Sequence, residues 1–301
     1  FISGCFERGT LDGWAAVSVH PYRQTSPEGA GSEYRDLRQL IRKHAPAGRE
    51  IPILSGEWGY SAAWNGYNED LQGVMLARQF LTNLSNGIPL SIWYDWKDDG
   101  TDPKEPEHHF GTVGHPETKD GKPFFRLKPA YLAARALTNT LKGYHFSKRL
   151  AFGSAEDHVL LFENGSKQIV ACWTEAEARE VMFPDEKMPP CRALDHLGNK
   201  STGLRTSYGV ILTKEPIYLL FDGMVESLAK HPAFPEFSAE LIRIPGGKFI
   251  ARIDNPELKP FEGEALLYRG MNPERLAFKL DHDRSLQIEF KTRFDTATLL
   301  N

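Results

Sequence analysis

The sequence contains no apolar run approaching the ~18 residues that a membrane-spanning helix requires, which excludes a helical membrane protein. It also lacks an excess of basic charge. Its 36 Lys and Arg stand against 40 Asp and Glu, for a net charge of −4, whereas a dedicated nucleic-acid binder carries a basic face. Cysteine is scarce: Cys5, Cys172 and Cys191 are three in number and have no CxxC spacing. Neither a zinc knuckle nor a disulfide framework fits that pattern, and a Cys172–Cys191 bridge is compatible with the spacing without being required by it. Low-complexity sequence is missing too, because the 26 Gly and 20 Pro are scattered along the chain, unlike a linker or a collagen repeat. No charged segment followed by an apolar stretch opens the chain, so no signal peptide is read there. Residue 1 is Phe, and the final segment stops just after a strand-like run. Both ends read as cuts within a longer gene product.

What is present is ordinary globular composition, 41% apolar and 25% charged over 301 residues. That length suits two domains or three small ones at roughly 100–200 residues each. Residues 14–143 alternate short apolar runs with helical patterns. Strands are expected at 15–19, 51–54 and 90–94, and helices at about 33–44, 69–85 and from Pro129 to Gly143. In the second helix Leu71, Val74, Met75, Leu81 and Leu84 share the inward stripe, Asn68 can cap the start, and Asn86-Gly87 closes the end. A long polar loop, 97–124, precedes the third helix. Strand–helix alternation of this kind predicts a parallel sheet with helices outside. From residue 144 the pattern becomes all-β. Asn164-Gly165 between two apolar runs predicts a hairpin, and a small antiparallel sandwich fits 144–222. A second β domain is expected over 223–301, with Asp281–Arg284 as a hairpin turn.

Three segments carry candidate chemistry, each at the C-terminal end of an expected strand, where parallel α/β barrels place their active sites. They are His20-Pro21-Tyr22, Gly56-Glu57-Trp58-Gly59 and Trp93-Tyr94-Asp95-Trp96. A carboxylate beside a tyrosine and a histidine can be held ionised as a nucleophile, and a tryptophan face can stack a sugar ring. The plainer readings are a structural acid, a polar barrel rim and strand packing.

The order strand–HxY, strand–GEWG, strand–WYxW resembles the last three βα units of the clan A retaining glycoside hydrolases, with the cellulase-like family 5 and family 39 nearest. The resemblance covers about residues 1–143. It implies a partial (β/α)8 TIM barrel followed by antiparallel β-sandwich domains. It implies Glu57 as the catalytic nucleophile, flanked by His20 and by Tyr22 bonded to it, with Trp93 flooring the sugar subsite; Trp58 and Trp96, close to these segments, are further substrate-binding candidates, with core packing as the alternative. It further implies an oligo- or polysaccharide substrate, no cofactor, no metal, no nucleic acid or membrane, and a secreted or periplasmic parent enzyme.

The pattern departs from the family in one respect. The family's acid/base Glu, normally after Asn on the fourth strand, has no counterpart here. Asn68-Glu69 reads as a helix cap. A whole barrel takes about 250 residues, so roughly five βα units are missing, and the chain alone is expected to hydrolyse glycosides poorly or not at all. If a second carboxylate exists, Glu28 on the loop after the first strand, or a residue from a partner chain, is the first place to look. The alternative function is a non-catalytic carbohydrate-binding or assembly fragment. Open edges of a three-stranded sheet lead to the expectation of a homo-oligomer, or of cover by the β domains. The acidic loop 98–102 reads as a solvated turn. His108, His109 and His115 are loop histidines without a clear metal-ligand pattern.

Overall fold

The structure is a computed structural model. It describes residues 1–183 and 189–234 in full, and 238–244, 248–254, 261–269, 272–280 and 285–291 as backbone strands. The turn expected at Asp281–Arg284 lies outside the described residues. The chain divides into two units, Phe1–Phe234 and Pro235–Asn301.

The first unit opens with a short helix α1 (Ile2–Phe6), then β1 (Val17–Val19), α2 (Ala30–His44), β2 (Ile53–Trp58), α3 (Glu69–Ser85) and β3 (Ser91–Trp93). Strands β1, β2 and β3 form one parallel sheet in that order, with Val17 opposite Ile53 and Ser55 opposite Ser91. The region read as a polar loop contains a hairpin, β4 (Glu117–Lys119) with β5 (Lys122–Phe124). Its turn is Asp120-Gly121, both at positive φ, the backbone that a two-residue hairpin favours. Helix α4 (Pro129–Leu141) follows. Proline at its first position needs no hydrogen bond there.

The remainder of this unit is antiparallel: β6 (His145–Arg149), β7 (Asp157–Asn164), β8 (Lys167–Thr174), β9 (Arg179–Met182), β10 (Arg192–Asp195), β11 (Gly209–Leu212) and β12 (Ile217–Phe221), with a terminal helix α5 (Glu226–Lys230). Five strands pair in the order β10-β12-β8-β7-β6, and β11 pairs with β9. Gly165, at positive φ, turns β7 into β8. Alternation along β7, β8 and β12 feeds two cores. Val159, Leu161, Val170, Cys172 and Leu219 pack with Val181, Val210 and Leu212. Leu160, Phe162, Ile169, Ala171, Trp173 and Tyr218 pack instead on Leu81, Leu137 and Leu141 from α3 and α4. That second core, shared with α3 and α4, ties the antiparallel strands to the parallel part within the unit Phe1–Phe234. Cys172 and Cys191 are free thiols, and burial pushes the Cys172 thiol up.

Helix α3 departs from its expected stripe. Val74, Met75 and Leu81 are buried as expected, but Leu84 is exposed, and the buried face also holds Gln72, Arg78, Gln79 and Asn83. Their partners explain this: backbone carbonyls at strand ends lie beyond the sheet's own ladder and need donors. Gln72 Nε2 donates to Tyr60 O (2.7 Å) and His109 O (2.9 Å), and Gln79 Nε2 to Trp58 O (3.2 Å). Asn83 accepts from the Tyr34 hydroxyl and donates to Ser91 Oγ.

Arg78 joins the parallel and antiparallel parts. Its guanidinium grips both oxygens of Glu28 at 2.8 Å, with side chains 2% and 5% exposed. Trp173 of β8 donates its indole N–H to Glu28 Oε1 at 2.6 Å. His158 of β7 stacks on Trp173 at 4.8 Å and meets Glu175 at 3.1 Å. Breaking a buried pair strands a charge, at a cost of about 3–5 kcal/mol. Urea denaturation of Arg78→Met should show a loss of that order. Arg126→Met breaks the partly exposed bidentate pair with Glu69 and should cost under about 1 kcal/mol. Equal losses would contradict this assignment.

His158 gives the unit a pH dependence. Burial lowers its pKa, and Glu175 opposes that shift only in part. The native state therefore keeps His158 neutral, while the unfolded chain takes up the proton near its ordinary value of about 6.5. The contribution is complete above that value and is lost as pH falls toward the folded pKa. Unfolding free energy measured from pH 7 to pH 5 should fall less steeply in His158→Phe than in the parent protein.

Candidate active site

The site is built at the C-terminal ends of β1, β2 and β3. Parallel pairing sets Val19 beside Ser55, so His20 and Tyr22, just past β1, neighbour the end of β2. The pairing of β2 with β3 then slips: Ser55 opposes Ser91, but Trp58 opposes Trp93. Three steps on β2 match two on β3, which is a β-bulge, and a bulge re-aims side chains. Strict alternation would put Ser55 and Glu57 on one face and Trp58 on the other. With the bulge, Ser55 and Trp58 are both buried and Glu57 is partly exposed at the rim.

Two glycines permit this backbone. A Cβ on Gly56 would fall 2.1 Å from Ser18 Oγ and 3.6 Å from His20 Nε2. A Cβ on Gly59 would fall 1.7 Å from the Tyr94 carbonyl oxygen.

The Tyr22 hydroxyl donates to Glu57 Oε1 at 2.9 Å, and His20 Nδ1 lies 3.9 Å from Glu57 Oε2. Burial and then the Glu57 hydrogen bond raise the Tyr22 pKa well above the usual phenol range, so Tyr22 remains a donor. Apart from His20, the other carboxylate oxygen has no hydrogen-bond or ion-pair partner among the described residues. Phe110 packs edge-on against Tyr22 (6.1 Å), Tyr94 (5.4 Å) and Trp64 (5.4 Å). The loop after β1 is held from beneath, where the Tyr60 hydroxyl donates to Thr25 O and the Tyr67 hydroxyl to Gln24 O. Among the described residues no group of three or more His, Cys, Asp or Glu converges in a way that would hold a metal ion.

Several expected site residues sit elsewhere. Trp58 is fully buried in the core, with Arg23 over its ring, because the bulge turns it inward. It has no face for a sugar. Trp93 is half-buried, stacks on Tyr60 (6.4 Å) and donates its indole N–H to Phe110 O at 3.1 Å. Trp96 is exposed beside Tyr131. Glu28 is consumed by Arg78 and Trp173 and lies in the core, so it supplies no carboxylate to the rim. Asn68 Oδ1 accepts from Leu71 N at 2.8 Å as the cap of α3, and Glu69 pairs with Arg126. Asp98, read as part of a solvated turn, is buried against Lys128 Nζ (2.8 Å) and accepts from Gly111 N. His108, His109 and His115 are pinned to backbone at Asp102 and Asp98. Tyr94 and Phe110, which pack against Tyr22 beside Glu57, were not singled out from sequence. Only Tyr94, adjoining Trp93 at the strand end, carried a local signal.

No family model matches the chain, and no curated protein does. Solved structures do match. A family 39 glycoside hydrolase from Bacteroides cellulosilyticus WH2 superposes with TM-score 0.61 at 24% identity, over 74% of this chain and 47% of that one. A β-porphyranase of glycoside hydrolase family 86 from Bacteroides plebeius gives TM-score 0.50 at 11% identity, over 95% and 62%. The likeness is one of fold. These neighbours are TIM-barrel glycoside hydrolases, and the chain spans about half the length of the first.

The close approach at Gly59 yields a test. Gly59→Ala must displace the Tyr94 backbone, and overpacking of this kind costs about 1–3 kcal/mol. Gly13→Ala, with open space around its Cβ, should be near neutral in the same thermal melt. A silent Gly59→Ala would contradict the strand approach described.

Proposed function

We propose that residues 1–143 form the last three βα units of a glycosidase barrel, with Glu57 as the nucleophile of a retaining double displacement on a β-linked oligo- or polysaccharide. The observation that carries this is the Tyr22–Glu57 hydrogen bond with His20 alongside, at the ends of successive parallel strands. Tyr22 fixes one carboxylate oxygen by its hydrogen bond. The second oxygen then has a free lone pair to attack an anomeric carbon. A barrel fold shared with glycoside hydrolases is consistent with this chemistry, and exposed Trp96, three residues past β3, offers an aromatic face to a sugar.

Retaining hydrolysis also needs a carboxylic acid about 5–5.5 Å from the nucleophile. Glu28 and Glu69 are both committed to arginines, so the acid/base is assigned to βα units outside this chain. The sheet itself supports that view. Leu90 and Ile92 are exposed, and β1 and β3 each pair only with β2 among the described residues. An apolar groove lined by Ile2, Cys5, Trp14 and Ala16 runs along β1. A parallel sheet is ordinarily covered on both faces. Those uncovered features favour a second reading, an assembly fragment that associates through its edges, and light scattering distinguishes a monomer from an oligomer.

The catalytic reading predicts reaction without the acid when the leaving group needs no proton. Dinitrophenyl β-glycosides with fluorine beside the anomeric carbon, in the glucose and xylose series, should glycosylate the chain. The Glu57 oxygen bonds to the anomeric carbon, and dinitrophenolate departs with the electron pair. Peptide mapping by mass spectrometry should find the sugar on Glu57, and Glu57→Gln should abolish it. Labelling that survives this substitution would overturn the assignment. Natural oligosaccharides, which need protonation worth about 10²–10⁴-fold, should turn over far more slowly.

A further inference from the structure

Glu107 has no role in the reading above. It sits in a short 3-10 turn, Pro106–His109, after β3, and its backbone is clamped on both sides. Buried Ser61 Oγ donates to Pro106 O at 2.6 Å. His109 O accepts from Ala62 N (3.1 Å), Gln72 Nε2 (2.9 Å) and Lys128 Nζ (3.4 Å), and the His109 ring meets Asp102 O. The next residue, Phe110, is wedged against Tyr22 and Tyr94. A turn fixed this firmly presents its side chain from a rigid support, as a binding residue requires.

The side chain it presents is exposed, and its carboxylate has no hydrogen-bond or ion-pair partner among the described residues, unlike Glu28, Glu33, Glu69 and Glu175. Its turn leads directly into Phe110, which packs against Tyr22 and Tyr94 at the site. Burial is the main cause of the raised pKa values of Tyr22 and Tyr94, and the negative charge of Glu107 adds to both. The Tyr94 hydroxyl is likewise without a hydrogen-bond partner among the described residues. The Tyr94 ring in turn packs edge-on against Tyr22 at 6.5 Å.

We propose that Glu107 is a specificity-determining residue that accepts hydrogen bonds from ring hydroxyls of the sugar attacked by Glu57, with Tyr94 as the accompanying donor. This rests on the glycosidase reading above. A carboxylate accepts from two hydroxyls at once, and charge-assisted bonds of this kind are about twice as strong as neutral ones. Binding should depend on Glu107, while the bond-making step at Glu57 should not.

The test uses the full 301-residue chain and the dinitrophenyl fluoroglycoside that labels it, glucose or xylose series. The labelling rate is followed against reagent concentration, which separates the half-saturating concentration from the limiting rate. Glu107→Gln should raise the half-saturating concentration about tenfold, the size of one charged hydrogen bond. The limiting rate should stay within about twofold of the parent. Glu107→Asp should lie between the two. Unchanged saturation in Glu107→Gln, while Glu57→Gln abolishes labelling, would overturn this inference alone. A fall in the limiting rate with saturation unchanged would overturn it as well, in favour of a role in the reaction step. Failure to label Glu57 in the parent chain would overturn the glycosidase reading and this inference with it. Because Glu107 is exposed and unpartnered, its variants should melt with the parent, and a lowered melting temperature would count against the assignment.

Discussion

The slip in pairing between β2 and β3 is the constraint on which the site depends. Three residue steps on β2 are matched to two on β3, and this places Ser55 and Trp58 in the core together. Glu57, between them, is left with the rim as its only outlet. Gly56 and Gly59 are the residues that make this possible, because Ser18 and the Tyr94 carbonyl occupy the space that a side chain would need. Tyr22 then finds the carboxylate without distortion, because the parallel register of β1 on β2 has already set the two strand ends side by side.

The loop that carries Tyr22 is held from several directions, and the holding reaches into the antiparallel sheet. Glu28 follows Tyr22 by six residues and is fixed by Arg78 from α3 and by Trp173 from β8. Tyr60 and Tyr67 hold Thr25 and Gln24. The antiparallel strands are therefore part of the support of the rim, which is the physical meaning of their belonging to one unit with the parallel sheet. Separating the two parts would leave Glu28 and Arg78 facing water on one side and Trp173 without its acceptor on the other.

Much of this was legible in the sequence. The helix over residues 69–85, its Asn68 cap, the strand order and the convergence of Glu57, His20 and Tyr22 all follow from periodicity, capping and motif order. What was not legible has two sources. Bulges do not alter composition, so alternation alone left Trp58 at the rim and gave no hint that it is buried. Long-range polar partners are equally silent: Arg78, Gln72 and Gln79 look like the solvent face of α3 until the strand-end carbonyls and Glu28 are seen beneath them. The same blindness made Asp98 look solvated, since its partner Lys128 is thirty residues away, and made Glu28 look available.

If Glu57 is the nucleophile proposed above, it acts through the oxygen that Tyr22 leaves free. A crystal structure of the chain after reaction with a dinitrophenyl fluoroglycoside tests it directly. Continuous electron density should join the anomeric carbon to Glu57 Oε2, the oxygen on the His20 side, with the Tyr22 hydroxyl still on Oε1. Density joining the sugar to another side chain, or a Glu57 carboxylate turned beneath the strand among Ser55 and Trp58, would contradict the account.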